Sequence, residues 1–309
     1  MTGGAGFIGS HLVDALVDRG DDVLILDDLS TGSRRNLNPE ARFFELDLRD
    51  DAAARLVQDE RPAAIAHLAA QMSVSRSVKE PLFDADVNLL GSIKLGLAAA
   101  EVGSRIVFSS TGGALYGDAE VIPTPETAPA WPISPYGIGK LSFEHYLFGF
   151  REQYGLSYMA LRYGNVYGPR QNPHGEAGVV AIFCEGMLGK REYRINGAGT
   201  DTRDYVYVDD VVRANLAALN SDRCRHVNVG TGRQAATNTI HSLVAERFGK
   251  PDAPEHGPPR AGDLKASALD SALIGELLGW RPEVSLEDGI ARTVDWFLAQ
   301  ERSQPGTNR

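Results

Sequence analysis

The stretch Thr2-Gly3-Gly4-Ala5-Gly6-Phe7-Ile8-Gly9-Ser10-His11 decides the fold. It contains Gly4-x-Gly6-x-x-Gly9 and, overlapping it, Gly3-x-x-Gly6-x-x-Gly9. Glycines at this spacing let the backbone turn tightly and approach a pyrophosphate, whose charge then sits at a helix N-terminus. Glycine-rich turns are common, so the pattern gains its meaning from the residues downstream. Leu12, Leu16 and Val17 have helical spacing. The next apolar run, Val23-Leu24-Ile25-Leu26, ends at Asp27, 18 residues after Gly9. An acid there hydrogen-bonds the adenosine ribose hydroxyls and repels a 2′-phosphate, which favours NAD over NADP. Arg34 and Arg35 lie nearby and weigh the other way. This reading expects NAD on Gly3, Gly6, Phe7, Ile8, Gly9 and Asp27.

Working backward, only Met1 and Thr2 precede the first glycine. The pattern requires an apolar strand there, central to the sheet, and about four or five of its residues are missing. The natural start is expected upstream, or the sequence to have been trimmed. A start at Met1 itself implies a weakened sheet and weaker retention of NAD.

Working forward, strand-like runs alternate with helical spacing. The runs are Arg42 to Leu46, Ala63 to Leu68, Arg105 to Phe108 and Tyr158 to Tyr163. The helical stretches are Ser10 to Arg19, Asp51 to Asp59, Asp84 to Val102 and Tyr136 to Tyr154. Such alternation predicts an α/β chain with a doubly wound parallel sheet of the Rossmann type, its apolar strands covered on both faces. Asp47, Leu48, Ala69 and Ala70 come just after strand-like runs and so fall at strand ends, which line the cofactor crevice in such sheets. After about Asn165, glycine, proline and polar residues become dense, with shorter helices between. The expected division is an NAD-binding domain over 1–165, to which about 204–234 returns, and a smaller α/β lobe over 166–309.

With 309 residues, one large domain or two intimate ones are expected. Lysine and arginine total 31 against 41 aspartates and glutamates, a net charge of −10, so the global field does not favour nucleic acid or anionic membrane. Any anionic ligand must be held by local arginines. No apolar run reaches the ~18 residues of a membrane span. Two cysteines, Cys184 and Cys224, make no disulfide framework and read as thiols in a reducing compartment, so a cytoplasmic protein is expected.

Tyr136-Gly137-Ile138-Gly139-Lys140 places a tyrosine and a lysine on one helical face. A free tyrosine, with a pKa near ~10, is no base at neutral pH. An adjacent ammonium and a cationic nicotinamide favour its phenolate. The run Arg105 to Phe108 leads into Ser109-Ser110-Thr111-Gly112-Gly113, bringing hydroxyls to the carboxyl end of a strand. A hydroxyl there can bridge a substrate oxygen and the phenol.

With these residues in place, the chain resembles the extended short-chain dehydrogenase/reductase superfamily, in its NAD-dependent epimerase/dehydratase group, and within it the bacterial and archaeal UDP-glucose 4-epimerases. The matching segments are TGGAGFIGSH at 2–11, HLAAQ at 67–71, STGGALYG at 110–117, SPYGIGK at 134–140, RYGNVYGPRQNPHGEAGVV at 162–180, TRDYVYVDDV at 202–211, NVGTG at 228–232 and PPRAGDLKAS at 258–267. The resemblance implies Tyr136 as catalytic base, Lys140 as its partner and a holder of the nicotinamide ribose, and Thr111 as the bridging hydroxyl, with Ser110 a lesser candidate. It implies cofactor contacts at Asn88, Ser109 and Tyr163. It implies nucleotide-sugar contacts at Asn165, Val180, Arg203, Arg260, Asp263 and Ser267. The implied activity is inversion at C4 of a UDP-hexose through a transient 4-keto sugar, with UDP-glucose and UDP-galactose as substrates.

Ser267 is small where relatives use bulk against an N-acetyl group, so N-acetylated sugars are admitted. Gly112 and Gly113 stand where a 4,6-dehydratase carries an acid and a base. Asn165 and Asn172 stand where a glucuronate epimerase wants a hydroxyl or cation. A non-catalytic NAD-binding scaffold is the reading of a different class; such chains lose the tyrosine or lysine, and both are here. The histidines show no metal-ligand spacing, so no metal is expected. Trp131, Trp280 and Trp296 are expected to pack, and the resemblance implies a homodimer through helices over 84–102 and 136–154.

Overall fold

The helical spacing after the glycines forms α1 (Phe7–Asp18), and the run ending at Asp27 forms β1 (Leu24–Asp27). Next come β2 (Arg42–Glu45), α2 (Asp51–Glu60), β3 (Ala64–His67), α3 (Val74–Lys79), α4 (Pro81–Ala85), α5 (Ser92–Val102), β4 (Arg105–Thr111), α6 (Pro135–Tyr154) and β5 (Tyr158–Tyr163). The second half adds β6 (Asn165–Tyr167), α7 (Val179–Met187), β7 (Ile195–Asn196), β8 (Thr202–Arg203), β9 (Tyr205–Tyr207), α8 (Val208–Leu219) and β10 (Arg225–Val229). It ends with β11 (Ala235–Ala236), α9 (Thr237–Phe248), β12 (His256–Gly257), α10 (Ala272–Leu278) and α11 (Leu286–Ser303). The computed structural model describes residues 1–173, 178–259 and 264–303. The expectations for Arg260 and Asp263 lie outside the described residues.

The main sheet is parallel throughout. β2 pairs with β1, and β3, β4, β5 and β10 pair in that order. Between β1 and β3 stands a stub of strand, Met1-Thr2, whose Thr2 bridges Leu26 on one side and His67 on the other. Thr2 N donates to Ala66 O at 3.0 Å, Leu26 N to Met1 O at 2.8 Å, and Leu68 N to Thr2 O at 3.1 Å. The stub thus occupies the central place that the glycine motif demands. The Met1 ammonium donates to Leu24 O at 2.8 Å, and burial pushes its pKa down to about 5. A cavity of about 40 Å³ lies beside it, walled by Leu24, Val57, Ile65 and Leu95.

Successive side chains of a strand point to opposite faces, and both faces here are apolar. Ile65, Ile106, Phe108, Tyr158 and Ala160 pack against Leu95, Phe143 and Leu147 of α5 and α6. On the other face Val107, Met159 and Leu161 pack with Val211 and Ala214 of α8 and with Ile274 and Trp280. Leu12, Val13 and Leu16 of α1 cover Ile25 and Ala66. The second lobe has its own core, in which Val180 and Phe183 of α7 meet Ile240 and Val244 of α9 and Ile290 and Val294 of α11.

Two expectations need correction. The single helix expected over 84–102 is continuous but not α throughout: α4 leads into a wider π-helical stretch, Asp86–Gly91, before α5 begins. Gly91 lies against Leu48, leaving little room for a side chain, and Asn88 bonds inward to Gln71. Trp131 does not pack. It is 77% exposed, whereas Trp280 is buried with its Nε1 donating to Asp210 O at 2.9 Å, and Trp296 lies edge-on to Phe297.

Candidate active site

The glycine turn is built for close approach. Gly3 has φ +71°, and a Cβ there would lie 2.6 Å from Ala69 N. A Cβ on Gly9 would collide with the Gly3 carbonyl. Gly6 caps α1 without any side-chain acceptor, so the first-turn amides of Phe7, Ile8 and Gly9 have no side-chain cap. Open amides at a helix N-terminus behind a side-chain-free turn fit a pyrophosphate. The side chains of Phe7 and Ile8 are half-buried and point into the protein cores. Asp27 is buried; its Oδ2 accepts from Ala5 N at 2.9 Å and its Oδ1 from Leu29 N at 2.8 Å. Burial raises its pKa, and the two amides oppose that shift. Arg34 is ion-paired to Glu45 and lies over the Phe43 ring. These residues fit NAD.

In the crevice wall, Asp47 is clamped by Arg49, with Nη2 2.6 Å from Oδ2, and that guanidinium holds its carboxyl below the usual range. Leu48 is buried, and Ala69 and Ala70 are half-buried beyond the end of β3. Asn88 does not offer its amide to the crevice. Its Oδ1 accepts from Gln71 N, and its Nδ2 donates to Gln71 O and to Asp84 Oδ1, each at 2.9 Å. It braces the wall instead.

Ser134 starts α6 by accepting from Gly137 N at 3.2 Å, with Pro135 in the first turn, which fixes Tyr136 and Lys140 one turn apart. Lys140 is 3% exposed; its Nζ donates to Ser109 O at 2.9 Å and lies 5.8 Å from the centre of the Tyr136 ring. Burial pushes its pKa down to about 8, opposed by Asp84 and Glu144. Thr111 Oγ1 accepts from Ala114 N at 3.2 Å. A lowered phenol pKa at Tyr136 is expected only with Lys140 and a cationic nicotinamide together. Burial, seconded by Asp84, pushes it up to about 12, and Thr111 pulls the other way. In the crevice as it stands, Tyr136 is a phenol. Tyr163 is buried, its hydroxyl donating to Asn215 Oδ1 at 3.0 Å.

On the sugar side, Ser110 departs from expectation. It is 3% exposed, and its hydroxyl donates to Glu144 Oε1 at 2.5 Å. Asn165 Oδ1 lies 3.5 Å from where a Gly113 Cβ would stand, which places it at the catalytic loop. Val180 is a fully buried core residue near the start of α7. Arg203 donates to its neighbouring carbonyl, Thr202 O, at 2.8 Å and makes no ion pair among the described residues. Asp204 does not pair with it; that carboxylate is filled by Thr231 N and Oγ1, Gly232 N and Leu269 N. Ser267 is half-buried beside it, its N donating to Thr202 O at 3.1 Å. Sequence reasoning missed two buried carboxylates, Asp84 and Glu144. Both had a signal in their spacing: Asp84 is one turn before Asn88, and Glu144 one turn after Lys140.

Comparison with known proteins agrees with this geometry. Residues 1–230 match the model of the NAD dependent epimerase/dehydratase family. A UDP-glucose 4-epimerase of Mycolicibacterium smegmatis is 47% identical over 304 residues, covering 96% of this chain and 97% of that one. The crystal structure of a UDP-glucose 4-epimerase with UDP-glucose from Thermotoga maritima superposes with a TM-score of 0.95 at 50% identity, over 97% of this chain and 98% of that one. A Thermus thermophilus UDP-glucose 4-epimerase in complex with NAD gives 0.91 at 46% identity, over 98% of each chain. With a glycine cradle at α1, a Tyr136–Lys140 pair at the end of β4 and this degree of likeness along its whole length, the chain belongs to the NAD dependent epimerase/dehydratase family.

Proposed function

We propose that this chain is an isomerase that inverts C4 of a UDP-hexose, interconverting UDP-glucose and UDP-galactose through a transient 4-keto sugar with tightly held NAD. The observation that carries this reading is the Tyr136–Lys140 pair on α6, with Lys140 Nζ on Ser109 O at 2.9 Å and 5.8 Å from the centre of the Tyr136 ring, at the end of β4 where Thr111 is followed by Gly112 and Gly113. The cofactor supplies hydride acceptance and return. Gly3, Gly6 and Gly9 admit its pyrophosphate to the amides of α1, and Asp27 takes the adenosine ribose. Thr111 aligns the 4-hydroxyl, and Tyr136 takes its proton and later gives it back. A phenol with a pKa of about 12 needs a nearby positive charge before it can do so. Lys140, buried and held to Ser109 O, holds the nicotinamide ribose. Arg203, without an acidic partner among the described residues, and Arg260 bind the diphosphate, with Asn165, Val180, Asp263 and Ser267 around the nucleotide-sugar.

A 4,6-dehydratase is disfavoured because Gly112 and Gly113 carry no proton-transfer group. A glucuronate epimerase is disfavoured because Arg170, the cation beside Asn172, is tied to Asp14 at 2.7 Å. The small Ser267 leaves room for N-acetyl sugars. In this reading residues 1–165 with 204–234 hold NAD, and 166–309 mainly hold the nucleotide-sugar. β10 in the main sheet supports that return, and Ile274 and Trp280 also pack on that sheet. The proposed homodimer forms through the outer faces of the π-helical stretch, α5 and α6, where Leu90, Leu97, Ile138 and Tyr146 are exposed. Among the described residues no helix is long and apolar enough to cross a membrane; the free thiols Cys184 and Cys224 accord with a cytoplasmic setting.

The test is incubation of the purified protein with UDP-glucose, UDP-galactose, their N-acetyl forms and UDP-glucuronate, with separation of the products. Inversion of the neutral hexoses is expected. Failure to invert any of them would overturn the reading.

A further inference from the structure

Away from the crevice, a cavity of about 300 Å³ opens where α6 meets the sheet edge at β5 and β10. It lies on the flank of α6 opposite α5, since α5 packs through Gly96 on Phe143 and Phe150. Its charged lining is strongly biased. Glu144 is spent on Arg162, with Nη2 2.6 Å from Oε2 and both side chains 5% exposed. The other charged side chains around it are basic, Arg151 from α6 and Arg225 from β10, and the imidazoles of His145 and His226, the Tyr158 phenol and the Cys224 thiol complete the titratable lining. Arg225 has no ion pair among the described residues, and Arg151 donates to Cys224 O at 3.3 Å and lies 3.9 Å from its exposed neighbour Glu152. His226 is pushed toward its neutral form by burial and then by Arg162, with smaller contributions from Arg225 and His145 that Glu144 partly opposes. Such a concentration of positive potential is out of keeping with a chain of net charge −10.

We propose that this pocket binds a small phosphate monoester, and that its occupancy is felt in the catalytic crevice through the Glu144–Arg162 pair. Two guanidinium groups, with two imidazoles able to donate hydrogen bonds, suit a dianion rather than a single carboxylate. The volume is at the lower edge of small-ligand pockets, ~300–1,000 Å³, and exceeds what a bare phosphate fills. The exposed ring of Phe148 and the buried ring of Tyr158 offer the body of the ester an apolar wall. The path inward is short. Arg162 bonds Glu144 and the Tyr116 hydroxyl, and Glu144 holds Ser110, the residue before Thr111. An anion beside Arg162 competes with Glu144 for the guanidinium and so loosens the anchor of Ser110. Glu144 is also one of the two acids that hold up the pKa of Lys140. The catalytic half of the proposal rests on the epimerase reading; the binding half does not.

The experiment is calorimetric titration of the NAD-bound protein, its crevice saturated with UDP, with glucose 1-phosphate and in parallel with inorganic phosphate. Glucose 1-phosphate is expected to bind with a Kd of about 1 mM or tighter. Arg225→Glu, at an exposed position, should weaken it at least about tenfold with the melting temperature unchanged, and Arg151→Ala should weaken it too. No binding of either probe, or binding indifferent to both substitutions, overturns the site. Inorganic phosphate binding as tightly as the ester overturns the assignment of a monoester. Epimerisation assayed with and without glucose 1-phosphate reads the coupling: a change in kcat that Arg225→Glu abolishes supports it, and an unchanged kcat with the pocket filled overturns it.

Discussion

At the scale of single residues, the site divides into groups that reach the crevice and groups that hold those groups in place. Tyr136 belongs to the first kind. Tyr136→Phe keeps the ring and removes the proton acceptor, so kcat should fall by about 10²–10⁴ while the NAD released on denaturation stays stoichiometric. A variant with near-normal kcat would assign the base elsewhere. Tyr136, Lys140 and Thr111 were legible because helical spacing puts the first two on one face and a strand end supplies the third. Ser110 and Asn88 were not. Both are polar residues beside the crevice, and their side chains turn inward to Glu144 and to the Gln71 backbone. Which way such a side chain turns is settled by buried partners distant in sequence, 34 residues away for Ser110. Neither Asp84 nor Glu144 had a role until the fold brought them beside Lys140. The raised pKa of Tyr136 was illegible for the same reason: burial, seconded by Asp84, raises it, and neither shows in the spacing.

At the scale of elements, the strands were legible because a sheet covered on both faces is written in uninterrupted apolar runs, as in Tyr158 to Leu161. The two- and three-residue strands β6 to β9 carry too few residues for any period to show, and the π-helical stretch at 86–91 sits in a pattern that reads as α-helix throughout. The central stub is tied to the elements around it by one buried histidine. His67 Nδ1 shares a hydrogen bond with Thr2 Oγ1 at 2.7 Å, and its Nε2 one with Ser92 Oγ at 2.9 Å. Burial, with the nearby Lys140, pushes its pKa down to about 3. In the unfolded chain it titrates near ~6.5. Between those values the unfolded chain binds a proton that the folded one refuses. Stability should therefore be indifferent to this group above pH ~6.5 and fall steadily as the pH drops toward 3. In His67→Gln the melting temperature should fall less steeply across that window; an unaltered slope would mean that His67 does not carry the acid sensitivity.

At the scale of the whole molecule, the charge of −10 and the proposed dianionic substrate oppose one another, so the proposed function requires local cations, for which Arg203 and Arg260 are the proposed pair. The outer faces of α5 and α6 carry exposed apolar side chains that a monomer has no reason to present together. Leu97→Glu should convert the proposed dimer to monomer in sedimentation equilibrium; a wild-type chain that already sediments as a monomer contradicts that assembly. The central claim is that the C4 hydrogen leaves as hydride to a held cofactor and returns to the other face of the same sugar. The measurement that tests it most directly is mass and NMR analysis of UDP-galactose formed from UDP-glucose deuterated at C4, in ordinary water. The account predicts product with the deuterium retained at C4. Product whose C4 hydrogen comes from solvent, or no UDP-galactose at all, would contradict it.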